Sequence, residues 1–200
     1  MKLLVLGMLL ERDRHPYDIR QTIKERNWNE TFHIRDGSLY YAVDQMKADG
    51  WIEAAEVIPV PGEHRPDKTV YRITEIGRQA FLDLLYGQLE QAQQYPSHSF
   101  FPALPFVRHA DISRVGESVV RQLEACEARI ERMRCVIGLK EAYLPRGSVH
   151  LLRGILRFTE AERDWLRDLL TDAESGALGD PGWSPKRVAE MQEMMKRRSE

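Results

Sequence analysis

Hydrophobic positions along the first ninety residues recur at helical spacing in short, well-punctuated blocks. Leu3 to Leu10 is a nearly continuous apolar run that ends in the polar segment Glu11 to His15, as a buried helix followed by a turn would. Pro16 then stands where a first-turn proline belongs, and Ile19 and Ile23 give the inner face of a second short helix. In the third block Leu39, Val43 and Met46 fall at i, i+4 and i+7, with Asp36 placed as N-cap and Gly50 just past the last turn. Trp51 to Val60 is rich in β-branched and apolar residues, Pro61 to Lys68 is polar, and Thr69 to Thr74 is apolar again. The pattern predicts two strands joined by a tip too long for a two-residue turn. Three helices followed by a β-hairpin within about seventy residues describe a winged helix-turn-helix.

Beyond residue 113 the pattern changes scale. Val115, Val119, Leu123, Cys126, Ile130, Met133 and Ile137 run at spacings 4, 4, 3, 4, 3 and 4, a seam over some three heptads with Arg, Glu and Gln between. Such a helix would be about 35 to 40 Å long at 1.5 Å per residue. A second helix, from about Ser148 to Ala173, carries Leu152, Ile155, Leu156, Trp165, Leu166 and Leu169 on its inner side. Pro145, Arg146 and Gly147 separate the two, predicting an antiparallel hairpin. The seam has two readings: it packs within one chain, or it pairs two chains. The second is favoured because a two-helix hairpin has no third layer of its own.

The third helix is unusual on its outer side. Gly37, Ser38, Tyr41, Asp44, Gln45 and Ala48 are mostly small or hydrogen-bonding groups. Hydroxyls, backbone N–H groups and a helix N-terminus all donate to phosphate oxygens, so this face suits a nucleic acid. Ser38 and Tyr41 are the leading candidates for base edges or phosphates, with Gln45 behind them. Tyr40 offers a phosphate or backbone contact, or a structural one, and Gly37 permits close backbone approach. Arg35 pairs with a phosphate or with Asp36, and Tyr17 touches the DNA backbone or packs in the core. In the hairpin, His64, Arg65, Lys68 and Arg72 are wing candidates, Arg being suited to a narrow minor groove; the alternative is a solvated loop.

Five segments also carry a resemblance. Leu6-Gly-Met-Leu-Leu10, His15-Pro-Tyr-Asp-Ile19, Gly37-Ser-Leu-Tyr40, Lys47-Ala-Asp-Gly-Trp-Ile52 and Val70-Tyr-Arg-Ile-Thr-Glu-Ile-Gly-Arg78 resemble the PadR family of winged-helix transcriptional regulators. Phe101-Pro-Ala-Leu-Pro-Phe106, the long helix after it, and Leu152-Arg-Gly-Ile155 through Trp165-Leu166 to Ser175-Gly176 are similar to the helical C-terminal region of its longer members. Tyr41 stands where the family usually has proline, and Pro16 where it usually has glycine. The resemblance implies a homodimer whose C-terminal helices pack together, operator DNA as partner, and release of DNA by a small effector. A mainly α fold with a small β-hairpin wing is therefore expected: residues 1–95 as the winged helix-turn-helix with a linking helix, 96–112 as a Pro/Phe-rich connector, 113–176 as the antiparallel helical dimerisation domain, and 177–200 as a tail. In that tail Met191, Met194 and Met195 precede Lys196, Arg197 and Arg198, which suggests a last amphipathic helix.

Charge tempers the nucleic-acid reading. Residues 1 to 90 hold 12 Lys or Arg against 15 Asp or Glu, where a basic footprint is the norm. From His64 to Arg78 the balance turns locally basic, with Arg65, Lys68, Arg72 and Arg78 against Asp67 and Glu75, so few phosphate contacts and a need for two half-sites are expected. A winged helix used for protein contacts, or a constitutive DNA binder without effector control, are the alternatives. With 42% hydrophobic residues in a chain of 200, a proper core is expected. No apolar run approaches the roughly 18 residues of a membrane span, and the first ten residues lack a signal-peptide cleavage site, so no membrane partner and the cytoplasm are expected. Cys126 and Cys135 lie nine apart, about 180° around a helix, so they cannot bridge within it. They read as buried small hydrophobes in a reducing compartment, with a redox sensor as the alternative. The six His residues show no ligand spacing, and no Gly-rich phosphate loop or Gly-x-Ser-x-Gly elbow occurs, so neither metal, cofactor nor enzyme activity is expected. An aromatic or amphipathic effector could meet Phe100, Phe101, Phe106, Tyr143, Phe158 and Trp165, unless these are ordinary core residues.

Overall fold

The computed structural model describes residues 1–26, 28–32, 34, 37–58, 68–91, 98–180, 182 and 185–199. They fall into two compact units, Met1–Tyr95 and Pro96–Glu200. Among them no helix is long and apolar enough to cross a membrane.

The first unit is built from α1 (Lys2–Glu11), α2 (Pro16–Glu25), a one-turn α3 (Trp28–Thr31), α4 (Ser38–Ala48), strands β1 (Ile52–Ile58) and β2 (Lys68–Ile73), and α5 (Glu75–Glu90). Pro16 opens α2 behind an N-cap, His15, whose ring Nδ1 accepts from the Tyr17 N–H. Helix α4 closes in a Schellman motif: the Gly50 N–H donates to Lys47 O, the Trp51 N–H donates to Met46 O, and Gly50 has a φ of 70°. At the other end the expected cap is displaced. Gly37 is the N-cap of α4 and supplies no side-chain cap, while Asp36 lies outside the described residues. Leu39, Ala42, Val43 and Met46 are buried with Val5, Leu6, Met8 and Leu9 of α1, Ile19 and Ile23 of α2, and the strand-base residues Ile52 and Ile73.

The strands are antiparallel, with Ile52 opposite Ile73 and Ile58 opposite Lys68, and the register slips at Ala55. Only the base of the ribbon is buried; Val57 and Ile58 are exposed. Arg14 holds β2 from the other side. Its backbone pairs with Tyr71 in both directions, at 3.1 and 2.9 Å. Its side chain, 6% exposed, donates to Met8 O, Thr22 Oγ1 and Glu11 Oε2.

The second unit contains a 3-10 helix (Leu104–His109), α6 (Ile112–Lys140), α7 (Arg146–Glu174) and α8 (Pro185–Ser199). α6 and α7 form the antiparallel hairpin, cross-linked by Arg167–Glu127, Arg129–Glu162 and Arg134–Glu160. The break between them comes earlier than expected: a short 3-10 turn, Glu141–Tyr143, ends at Leu144, Pro145 is the N-cap, and Arg146 and Gly147 already belong to α7.

The heptad seam is used inside the chain. Val119, Cys126 and Ile130 of α6 are buried against Leu166 and Leu169 of α7, with Val115, Leu123, Leu156, Trp165, Phe100 and Leu104 around them. Within this one chain Val119, Cys126, Ile130, Leu166 and Leu169 are already almost without exposed surface. Met133, Ile137, Leu152 and Ile155 are half-buried. Cys126 is buried as expected and Cys135 is exposed, since their spacing puts them on opposite sides of α6.

Candidate nucleic-acid interface

The buried stripe of α4 fixes which residues point away from the unit. Gly37, Tyr40, Tyr41, Asp44, Lys47 and Ala48 are exposed, and Ser38 and Gln45 are half-buried beside them. Tyr41 is 65% exposed. Its hydroxyl oxygen accepts a 2.8 Å hydrogen bond from Gln45 Nε2, one helical turn on. A Cβ built on Gly37 meets nothing within 4 Å, and its φ is −73°, so the chain's own packing does not require glycine there. Tyr17 is exposed at the first turn of α2, which removes the core-packing alternative.

The wing is only partly described. His64 and Arg65 lie outside the described residues, as does Arg35 before α4; Lys68 is described as backbone, paired with Ile58. Arg72 is committed. Its Nε and Nη2 donate to Asp13 Oδ2 at 3.0 and 2.7 Å, and this carboxylate raises the guanidinium pKa through hydrogen bonding and charge. The pair ties β2 to the α1–α2 turn, so Arg72 acts first as a brace for the wing's base. Asp13 and Arg14 were missed in sequence because their partners are nearly sixty residues away. Asp44 is exposed on the outer side of α4, between Tyr41 and Lys47 in the chain.

In the second unit the expected aromatic set divides. Phe100, Phe101 and Trp165 converge on His98, with ring centroids 5.1, 5.8 and 4.8 Å from the imidazole. Glu162 Oε1 lies 3.4 Å from His98 Nε2 and accepts from Arg129 at 2.6 Å. Nearby, the Cys126 thiol donates to Thr159 O, and burial followed by the Glu162 charge raises its pKa. His98, the centre of this cluster, carried no signal beyond its place beside two Phe residues. Phe106, Tyr143 and Phe158 stand exposed and are not joined to these rings in any described ring contact. Among the described residues no three His, Cys, Asp or Glu side chains are grouped to hold a metal ion.

Residues 5–83, from α1 into α5, match the model of the Transcriptional regulator PadR-like family. An uncharacterized protein of Lysinibacillus sphaericus is 32% identical over 91 residues, which cover 46% of this chain and 79% of that protein. The fold is similar to Bacillus subtilis PadR solved in complex with operator DNA, with a TM-score of 0.68 at 19% identity over 86% of this chain and 98% of that one. The same protein in complex with p-coumaric acid gives 0.67, also at 19% identity and with the same coverage. The Vibrio cholerae virulence activator AphA gives 0.61 at 19% identity over 87% of this chain and 98% of that one. With a PadR-like N-terminal unit, a winged-helix topology and a helical hairpin after it, the chain belongs to the PadR-like family of transcriptional regulators.

Proposed function

We propose that the chain is a cytoplasmic, homodimeric, sequence-specific DNA-binding repressor, released from its operator by a small-molecule effector, with no catalytic role. The observation that carries this reading is the outer face of α4, where hydroxyl and amide groups project from a helix firmly seated on its other side. On this reading α4 enters the major groove with Ser38, Tyr40, Tyr41 and Gln45 toward bases and phosphates. Arg35 and Gly37 lie at its entrance, and Tyr17 lies against the backbone. His64, Arg65 and Lys68 of the wing reach the adjacent minor groove. The likeness to a PadR solved on operator DNA supports the same docking.

Pairing two half-sites about 34 to 36 Å apart needs a dimer. With the centre of the seam consumed within the hairpin, the second copy is met by the exposed apolar groups Leu139 of α6, Phe158 of α7 and Tyr143 of the turn between them, and by the half-buried margin. The rings of Phe100, Phe101 and Trp165 around His98 suit a small aromatic effector, and the p-coumaric acid complex of Bacillus subtilis PadR supports that chemical class. Such an effector need only bind better to a subunit arrangement that mismatches the operator.

The test is a titration of the full chain against a fluorescent duplex taken from just upstream of its own coding region, at two salt concentrations, with a scrambled duplex as control. Discrimination that survives the higher salt supports the reading; equal binding of both duplexes overturns it. The net acidic balance of residues 1 to 90, 12 basic against 15 acidic, favours a second reading, a winged helix used for protein contacts. That reading predicts no DNA binding at either salt.

A further inference from the structure

We propose that Gln45, held in place by Tyr41, reads an adenine in the major groove; this rests on the DNA-binding reading above and names the base it would recognise. A lone Gln on a helix surface samples many rotamers and would have to be ordered by its target. Gln45 is already ordered: it is half-buried, and one of its amide N–H groups donates to Tyr41 Oη at 2.8 Å. The tether leaves the other amide N–H and the carbonyl oxygen unengaged among the described residues, a donor beside an acceptor.

That pair matches one base. Adenine presents the N7 acceptor beside the N6 amino donor, and takes a glutamine amide in two hydrogen bonds. Guanine presents two acceptors, so its O6 would face the Gln45 carbonyl. Cytosine offers a single donor, and thymine an acceptor beside a methyl group.

Asp44 supports the same orientation independently. It is exposed beside Gln45 on the outward side of α4, and a carboxylate there repels phosphate oxygens but tolerates amino groups of bases. Tyr41, Asp44 and Gln45 therefore face base edges, leaving phosphates to the ends of the helix and the wing. Tyr41 acts as the positioning residue. Its ring remains in Tyr41→Phe, and only the oxygen that holds the amide is removed.

The experiment is selection of binding sites from a random duplex library by the full-length protein and by Gln45→Ala, Gln45→Glu and Tyr41→Phe, each first checked for native helical content by circular dichroism. The wild type should enrich a motif with one invariant adenine per half-site, and replacing that adenine by guanine should weaken binding by about tenfold or more. Gln45→Ala should accept any base there while keeping the rest of the motif. Gln45→Glu should move the preference to cytosine, whose N4 amino group a carboxylate accepts from. Tyr41→Phe should blur the adenine position alone. A motif that is enriched but identical in the wild type and both Gln45 variants overturns the assignment of Gln45 and leaves DNA binding standing. An unchanged adenine preference in Tyr41→Phe overturns the positioning role. Failure of the wild type to enrich any motif overturns the DNA-reading function and this inference with it.

Discussion

Helix α5 contains two glycines for which the same substitution should have opposite consequences. Gly77 sits where the helix begins, above the base of the hairpin. A Cβ built there lies 2.0 Å from the Trp51 carbonyl oxygen and 2.9 Å from Ile73 Cγ1, whereas one on Gly87 meets nothing within 4 Å. The first obstacle is backbone, and backbone already engaged. Trp51 O accepts from the Thr74 N–H at 3.0 Å, and Thr74 Oγ1 accepts from the Gly77 N–H at 3.1 Å while donating to Gly50 O at 2.7 Å. To bring the new Cβ out to 3.0 Å, the shortest separation real Cβ atoms tolerate, α5 and the strand base must part by at least 1.0 Å. Overpacking of this kind costs about 1–3 kcal/mol. Losing the Thr74–Trp51 and Gly77–Thr74 hydrogen bonds adds about 1 kcal/mol each. Alanine's better helix propensity returns about 1 kcal/mol. Gly77→Ala should therefore destabilise the first unit by about 2–4 kcal/mol, or about 10–25 °C in melting temperature for a unit of this size. Gly87→Ala should stabilise it by about 0.5–1 kcal/mol. Hydrogen exchange read by mass spectrometry on peptides from residues 2–25 and 38–58 reports this unit separately from the helical one. If Gly77→Ala left those peptides as protected as Gly87→Ala does, the seating of α5 on the Trp51 carbonyl would be refuted.

Ile130→Ala should cost the helical unit about 2–5 kcal/mol, because Ile130 is 2% exposed within one chain; a variant that keeps its thermal stability and only loses self-association would return the seam to an intermolecular role. Phe158, at 80% exposure, should behave in the reverse way: Phe158→Ser is expected to leave the melting temperature of dilute protein unchanged and to shift sedimentation toward the monomer. Maleimide labelling of the native protein should modify the exposed Cys135 rapidly. Cys126, buried, donating to Thr159 O and held above the usual thiol pKa by burial, should react only on unfolding, as read by peptide mass spectrometry.

What was legible in the sequence was local. Ile19 with Ile23, and Leu39 with Val43 and Met46, repeat at helical period because each pair or trio shares one buried face, and Pro16 and Gly50 mark helix ends through constraints on their own backbones. The one-turn helix Trp28–Thr31 is too short to show a period. The Arg72–Asp13 pair and the Arg14–Tyr71 pairing join residues far apart in the chain, so no neighbouring pattern records them. The seam from Val115 to Ile137 stated that α6 buries a stripe, but a periodicity cannot say against what; the answer, α7 of the same chain, depends on the length of the turn between them. The aromatic set divides for a related reason. Phe100 and Phe101 are adjacent in sequence and meet Trp165, while Phe106, Tyr143 and Phe158 share only composition with them. The cysteines held a clue that burial of both would have contradicted, since residues on opposite sides of one helix cannot both face the single layer α7 supplies.

The charge pattern bears on the proposed DNA contact in a way the total does not reveal. Among the described residues, at least four of the twelve basic side chains in residues 1 to 90 already sit against carboxylates: Lys2 on Asp49, Arg14 on Glu11, Arg72 on Asp13 and Arg78 near Glu75. Arg26 stacks on Trp28, its guanidinium carbon 4.9 Å from the ring centre. On the proposed docking Lys47 of α4, Arg35 before it and the wing's Arg65 and Lys68 make about four cations per subunit for phosphate contact, a logarithmic salt slope of about −4 for one half-site and about −7 for two. Between 50 and 200 mM salt a single half-site should then lose about 150-fold in affinity, and a paired site about ten-thousandfold or more. Fluorescence titrations over that range, on a full operator and on a half-site, read both slopes. A slope near −10 on the full operator would mean that further cations also reach the DNA, whether the exposed Arg12 and Lys24 or those now set against Asp13 and Asp49. Slopes near zero would mean that no phosphates are being neutralised at all, and the outer face of α4 would have to be understood as a surface for another protein.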